Sequence, residues 1–147
     1  MRQKSEAQTY LEQYEMNFVQ VECRMAERQQ WHDLAFCITQ QISGERVQSS
    51  GSKSKMTEAY DHCIAMEAGI SEEIKELYKK QDQIKKTLAQ LDNPTEYKLL
   101  HMRYIRLMEL KDIADEFKAD YTWVTTVHGR ALKSVQDVLD GKENQSA

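Results

Sequence analysis

Between Lys111 and Lys133 the chain sets out side chains whose types and spacing suit the binding of double-stranded nucleic acid. Tyr121, Thr122, Thr125 and Thr126 fall on one side of a helical stretch, away from the apolar Val124 and Val127. Threonine methyls and a tyrosine ring suit contact with thymine methyls better than the forked donors that read guanine. These four are the expected base-facing residues. Lys111, His128, Arg130 and Lys133 flank them and are the expected phosphate contacts. No His or Cys lies near His128 in sequence to make it a metal ligand. The chain has no Gly-rich phosphate loop, no paired metal ligands and no nucleophile with a base at a recognisable spacing. The expectation is therefore a non-enzymatic binding protein without cofactor or metal.

The net charge of −4 rules out an argument for nucleic acid from the chain as a whole, so any contact with phosphate has to come from a local patch. A second cluster, Lys75, Lys79, Lys80, Lys85 and Lys86, is interleaved with Glu72, Glu73, Glu76 and Asp82 and reads as a solvated, ion-paired face. Cys23, Cys37 and Cys63 lack partners at metal-ligand spacing. Cys23 and Cys63 fall within apolar helical patterns, which points to buried thiols in a reducing compartment. The opening MRQKSEAQTY has no apolar signal core, and no stretch approaches membrane-spanning length. A cytoplasmic protein with no membrane partner is expected.

The elements that must position these groups are helices. With one Pro and five Gly, breakers are few, and a mean hydropathy of −0.75 suits long, half-exposed helices. From Leu110 to Gly129 the apolar residues match a helix-turn-helix mask: Ile113, Ala114 and Phe117, then Ala119 in the turn, then Val124 and Val127. Ala114 is small where two helices would cross most closely. Leu132, Val135 and Leu139 continue the second stripe, and Leu99, Leu100, Met102 and Tyr104 supply a preceding helix that closes a three-helix core. Asn93 is a helix cap, Pro94 suits the first helical position, and Glu96 stands three residues after the cap, so a new domain starts here.

The string LLHMRYIRLMELKDIADEFKADYTWVTTVHGRALKSVQ resembles region 4 of sigma factors, in which an "LRxRY" helix precedes "sLkeIAeel", a turn, and a recognition helix ending in "RAL". It is more similar still to small prophage proteins of Gram-positive bacteria, autolysin-regulator-like and late-gene-activator-like, which carry "WVxxxHGRAL". Those residues stand here as Trp123 to Leu132, and the likeness covers roughly Ser49 to Leu139. The resemblance implies a phage transcription regulator that acts on phage late promoters together with host RNA polymerase. This chain has Lys118 at the turn position that usually carries Gly. A non-Gly residue at positive φ is strained, which predicts a turn of different shape. Trp123 is open to two uses, a wedge at the DNA surface or packing against the N-terminal helices. Gly129 weakens its helix, and its functional use would be close approach to DNA or to another helix.

The N-terminal half reads as two long helices, about residues 4–42 and 56–91, joined by a flexible Gly/Ser connector over 43–54. Helix one carries Leu11, Tyr14, Phe18, Val21 and Met25, and its stripe then drifts to Trp31, Leu34, Ala35, Ile38 and Ile42. Met56, Cys63, Ile70, Leu77, Ile84 and Leu91 recur by sevens in helix two, with Tyr60, Ile74 and Leu88 in the second core position. Gly69 marks a kink or break. The stripes suit an antiparallel hairpin, and equally pairing between copies. The reading is an all-α protein: a helical hairpin (1–92), a sigma region 4-like helix-turn-helix domain (93–139) and a flexible tail (140–147). Its partners would be double-stranded DNA, RNA polymerase and, through the N-terminal helices, a second copy. The competing reading is a protein adaptor that binds a polymerase subunit without reading DNA.

Overall fold

A computed structural model describes residues 3–44 and 50–145. Among these residues the chain is helical throughout, with no strands: α1 (Glu6–Gly44), α2 (Ser50–Leu88), α3 (Pro94–Leu100) running into a π-helical turn (His101–Ile105), α4 (Leu110–Phe117) and α5 (Tyr121–Gln145). No described helix is long and apolar enough to cross a membrane. The expected connector over 43–54 is shorter than its composition implied. α1 runs through Gly44 and α2 starts at Ser50, while residues 45–49 lie outside the described residues. Extending a helix that is already nucleated fixes one residue per hydrogen bond, so a long helix carries a few poor formers at its end. For the same reason α5 continues to Gln145, through most of the stretch read as a tail.

The chain divides into two compact units. One comprises Met1–Asn17 and Leu77–Ala147, so the start of α1 and the end of α2, which the sequence assigned to the hairpin, group with the C-terminal helices. Its core is built from Leu11, Ile84, Leu88, Leu99, Leu100, Tyr104, Ile113, Val124 and Val135. Thr87 is fully buried; its hydroxyl donates to the Gln83 carbonyl and shares a hydrogen bond of 2.9 Å with Tyr10 Oη. Gln81 Nε2 donates to Tyr14 Oη at 3.1 Å. At the N-terminus of α1, Ser5 Oγ accepts from the Gln8 amide, and Gln136 Oε1 on α5 accepts from the Ala7 amide at 3.1 Å. Two donors that the helix leaves open are thus satisfied, one locally and one from the far end of the chain.

The other unit, Phe18–Glu76, pairs the rest of α1 and α2. Arg24 pairs with Glu73, Arg28 with Glu67 at 2.7 Å, and the Trp31 ring meets His62 with centroids 4.2 Å apart. Rising numbers on α1 meet falling numbers on α2, so the two segments run antiparallel. Val21, Ala35, Ala59, Cys63, Met66 and Ile70 are buried between or beside them. The sevenfold series is buried at Cys63 and Ile70, but the second core position is filled by Ala59 and Met66. Tyr60, expected there, is exposed. A small Ala and a flexible Met let two helices approach more closely than Tyr60 and Glu67 would, and Glu67 instead pairs with Arg28 at the flank. Met25, Trp31 and Leu34, expected in the stripe of α1, are exposed, as is Cys23; Cys63 alone of the two apolar-stripe thiols is buried. α2 passes unbroken through Gly69. A Cβ there would lie 3.2 Å from Arg24 Nη2, so the residue makes room for a crossing side chain and is not a break.

Candidate nucleic-acid interface

The unit that holds the C-terminal helices is organised around their starts and stops. Asn93 caps α3 as expected, its Oδ1 accepting from the amides of Thr95 at 2.9 Å and Glu96 at 3.4 Å, and Pro94 opens the helix. The Glu96 carboxylate does not turn back to the cap. It accepts from Ser134 Oγ at 2.9 Å and so ties α3 to α5. The helix then widens into the π turn, where the Arg106 amide reaches the His101 carbonyl. Leu107 follows at φ 57°, with Met108 N bonded to Met102 O at 3.0 Å, and Arg103 Nη1 donates to the Met108 carbonyl at 3.3 Å.

α4 is short and amphipathic, with Ile113 and Ala114 buried and Asp112, Asp115 and Glu116 exposed. It ends at Lys118, which has φ 52° and ψ 46°, with Ala119 N donating to Ala114 O at 3.0 Å. This is the left-handed helix stop that glycine usually occupies. The expectation of a differently shaped turn is therefore corrected: the turn keeps its geometry and Lys118 carries the strain, because the hydrogen bonds that end α4 require that backbone.

α5 buries Val124, Val127, Ala131 and Val135 against this framework and turns its other side outward. Tyr121, Thr122 and Thr126 are exposed and Thr125 half-buried, and both Thr125 and Thr126 donate their hydroxyl to the Thr122 carbonyl, at 2.8 and 2.9 Å. With the hydroxyls turned onto the helix backbone, the methyl groups are the contact groups left to a partner. Arg130 and Lys133 are exposed farther along α5, and Lys111 is exposed in the first turn of α4.

His128 is placed differently. Its Nε2 lies 2.7 Å from Tyr104 Oη and its ring stacks on the Tyr104 ring, so the imidazole is turned inward, apart from the exposed cations with which the sequence grouped it. Burial lowers its pKa, the Arg103 charge adds to this, and Glu12 opposes it. Burial also pushes the Tyr104 hydroxyl up to about 12. His101, more open, is lowered by burial and by Lys85 and Arg106. Trp123 meets Phe117 edge-on at 5.7 Å, and the Lys98 ammonium sits 5.1 Å above the Phe117 ring. The packing partner of Trp123 is thus a residue of α4, and Trp123 as a residue stays 41% exposed. Arg103 and Lys98 were not singled out by sequence, since nothing in their spacing marks a contact to a distant carbonyl or ring.

Beyond Thr126 the exposed ridge borders a groove of about 540 Å³ between α5 and the start of α1, lined among others by Lys4, Ser5, Gln8, Gly129 and Lys133. A Cβ on Gly129 would meet no atom within 4 Å. Among the described residues no group of three or more His, Cys, Asp or Glu could hold a metal ion.

No curated protein and no solved structure matches the chain. Residues 38–136, well over half its length, match a family described as "Protein of unknown function (DUF1492)". The chain belongs to the DUF1492 family, whose function is unknown.

Proposed function

We propose that this protein is a DNA-binding transcription regulator whose α4 and α5 act as a helix-turn-helix of the sigma region 4 kind, with α5 as the recognition helix. The observation that carries this is the exposed ridge of α5, where Tyr121, Thr122 and Thr126 are followed by Arg130 and Lys133, opposite the buried Val124, Val127, Ala131 and Val135. A left-handed turn at Lys118 precedes that ridge, and Ala114 is buried in the helix before it. In such a module the N-terminal end of the second helix enters the major groove, while cations farther along meet phosphates. The antiparallel N-terminal helices would serve assembly, including pairing of two copies. The likeness to prophage regulators adds late phage promoters, host RNA polymerase and a cytoplasmic setting to the same reading.

One observation favours a second reading. Asp112, Asp115 and Glu116 make the exposed side of α4 acidic, and Trp123 beside it is partly uncovered. A basic protein surface, such as one on a polymerase subunit, would fit that side better than DNA does. Selection of bound duplexes from a random-sequence library by the full chain separates the two. Enrichment of one sequence supports the regulator, and no retained DNA beside retained polymerase supports the adaptor.

A further inference from the structure

The exposed ridge of α5 does not end at Thr126. Gly129 follows on the same side of the helix, about 4.5 Å along the axis, and Lys133 lies about 6 Å farther on. Both line the groove whose other wall is the start of α1, with Lys4, Ser5 and Gln8. Glycine inside a helix is a standing cost, and among the described residues no atom lies within 4 Å of where its Cβ would stand. Lys4 and Lys133 stand on opposite walls, both exposed. Two of the acidic groups nearby, Glu12 and Glu6, are engaged. Glu12 accepts from Lys4 Nζ at 2.8 Å, and Glu6 accepts from Gln136 Nε2 at 3.3 Å. The ammonium of Lys4 has three donors, and one of them is used by Glu12.

We propose that this groove holds the sugar-phosphate backbone of the DNA strand that passes the Thr122–Thr126 face, with Gly129 as the point of close approach and Lys4 and Lys133 on its phosphates. This rests on the DNA-binding reading above and adds to it a contact from the opposite end of the chain. A polyanion is the occupant chosen because the groove presents a cation on each wall and continues the ridge proposed to face the bases. A backbone that must approach a helix closely needs a residue without a side chain at the crossing.

The test uses the full-length protein and a short duplex of mixed sequence, with binding followed by anisotropy at two salt concentrations. Gly129→Gln is a better helix former than glycine and meets open space, so circular dichroism should show a fold at least as stable. Its affinity should fall about tenfold or more on every duplex. Lys4→Ala should reduce the slope of log K against log salt by about one unit. Wild-type affinity in Gly129→Gln, with Arg130→Ala still weakened, would overturn the groove and leave the recognition helix standing. An unchanged salt slope in Lys4→Ala would equally overturn it, since Lys4 would then act only through Glu12. Failure of the wild-type protein to bind any duplex would remove both readings together.

Discussion

Tyr104 Oη and His128 Nε2 lie 2.7 Å apart, and their rings stack with centroids 5.8 Å apart and planes inclined by 24°. The pair joins the π turn after α3 to α5, so α5 is held from behind by a histidine whose pKa burial lowers from its ordinary value.

Stability should therefore depend on pH through His128. Its folded pKa is held below the ordinary 6.5 by burial, with Arg103 adding and Glu12 opposing. The unfolded chain takes up the proton first as pH falls, so stability is full above about pH 6.5 and declines below it, by at most about 1.4 kcal/mol per pH unit for one site. Chemical denaturation of wild type and His128→Gln across this range checks the assignment, because the variant should lose that part of the slope. If both curves fall alike, His101 or the carboxylates carry the effect. At the alkaline end the sign reverses for Tyr104, which keeps its proton to about 12 while an unfolded tyrosine releases it near 10.0. Stability should fall above that lower value.

The crossing of α4 and α5 should be intolerant of volume. Ala114 is buried in α4, as is Val124 in α5. Ala114→Leu should overpack the interface and cost about 1–3 kcal/mol. Thermal denaturation with an unchanged midpoint would show that the helices do not meet at this residue.

Lys118 should respond to substitution in the order that its backbone demands. At φ 52° an L-residue is strained by roughly 1 kcal/mol, and glycine is not, although glycine also loosens the unfolded chain. Lys118→Gly should gain about 0.5 kcal/mol, and Lys118→Val, branched at Cβ, should lose about 1 kcal/mol or more. Denaturant midpoints ranked Gly, Lys, Val from most to least stable are expected. The reverse order would contradict the left-handed turn.

Thr126 separates methyl contact from hydrogen-bond readout. Its hydroxyl is bonded to the Thr122 carbonyl at 2.9 Å, which leaves the methyl to a partner. Thr126→Val should keep most discrimination between a selected duplex and a scrambled one, whereas Thr126→Ser should lose part of it, up to roughly 1–3 kcal/mol for a good base contact. Loss in Thr126→Val with retention in Thr126→Ser would mean that the hydroxyl is read.

Much of the framework was legible because it is written in short spacings. The cap at Asn93, the opening Pro94, the all-helical class and the buried set Ile113, Ala114, Val124 and Val127 all depend on neighbours within one or two turns. Spacing of this kind says which side of a helix is apolar. It is imprecise by about one residue, or roughly 100° around the axis, which is the error that put Tyr60 where Ala59 is buried and spread the stripe of α1 onto the exposed Met25 and Leu34. Lys118 was recognised as the turn residue, but its conformation was not, since the hydrogen bonds that end α4 outweigh the preference of a single lysine.

By itself the sequence determined the helices, where α3 begins, and the outward placement of Tyr121, Thr122, Thr126, Arg130 and Lys133. Only the tertiary structure decided that His128 turns inward onto Tyr104, that Gln136 caps α1 at Ala7, and that Lys4 shares a groove with Gly129. The physical reason is that periodicity is a property of one helix, whereas these contacts join residues far apart in the chain. Which polar groups meet is fixed by how the buried faces pack, and no spacing along one helix encodes that.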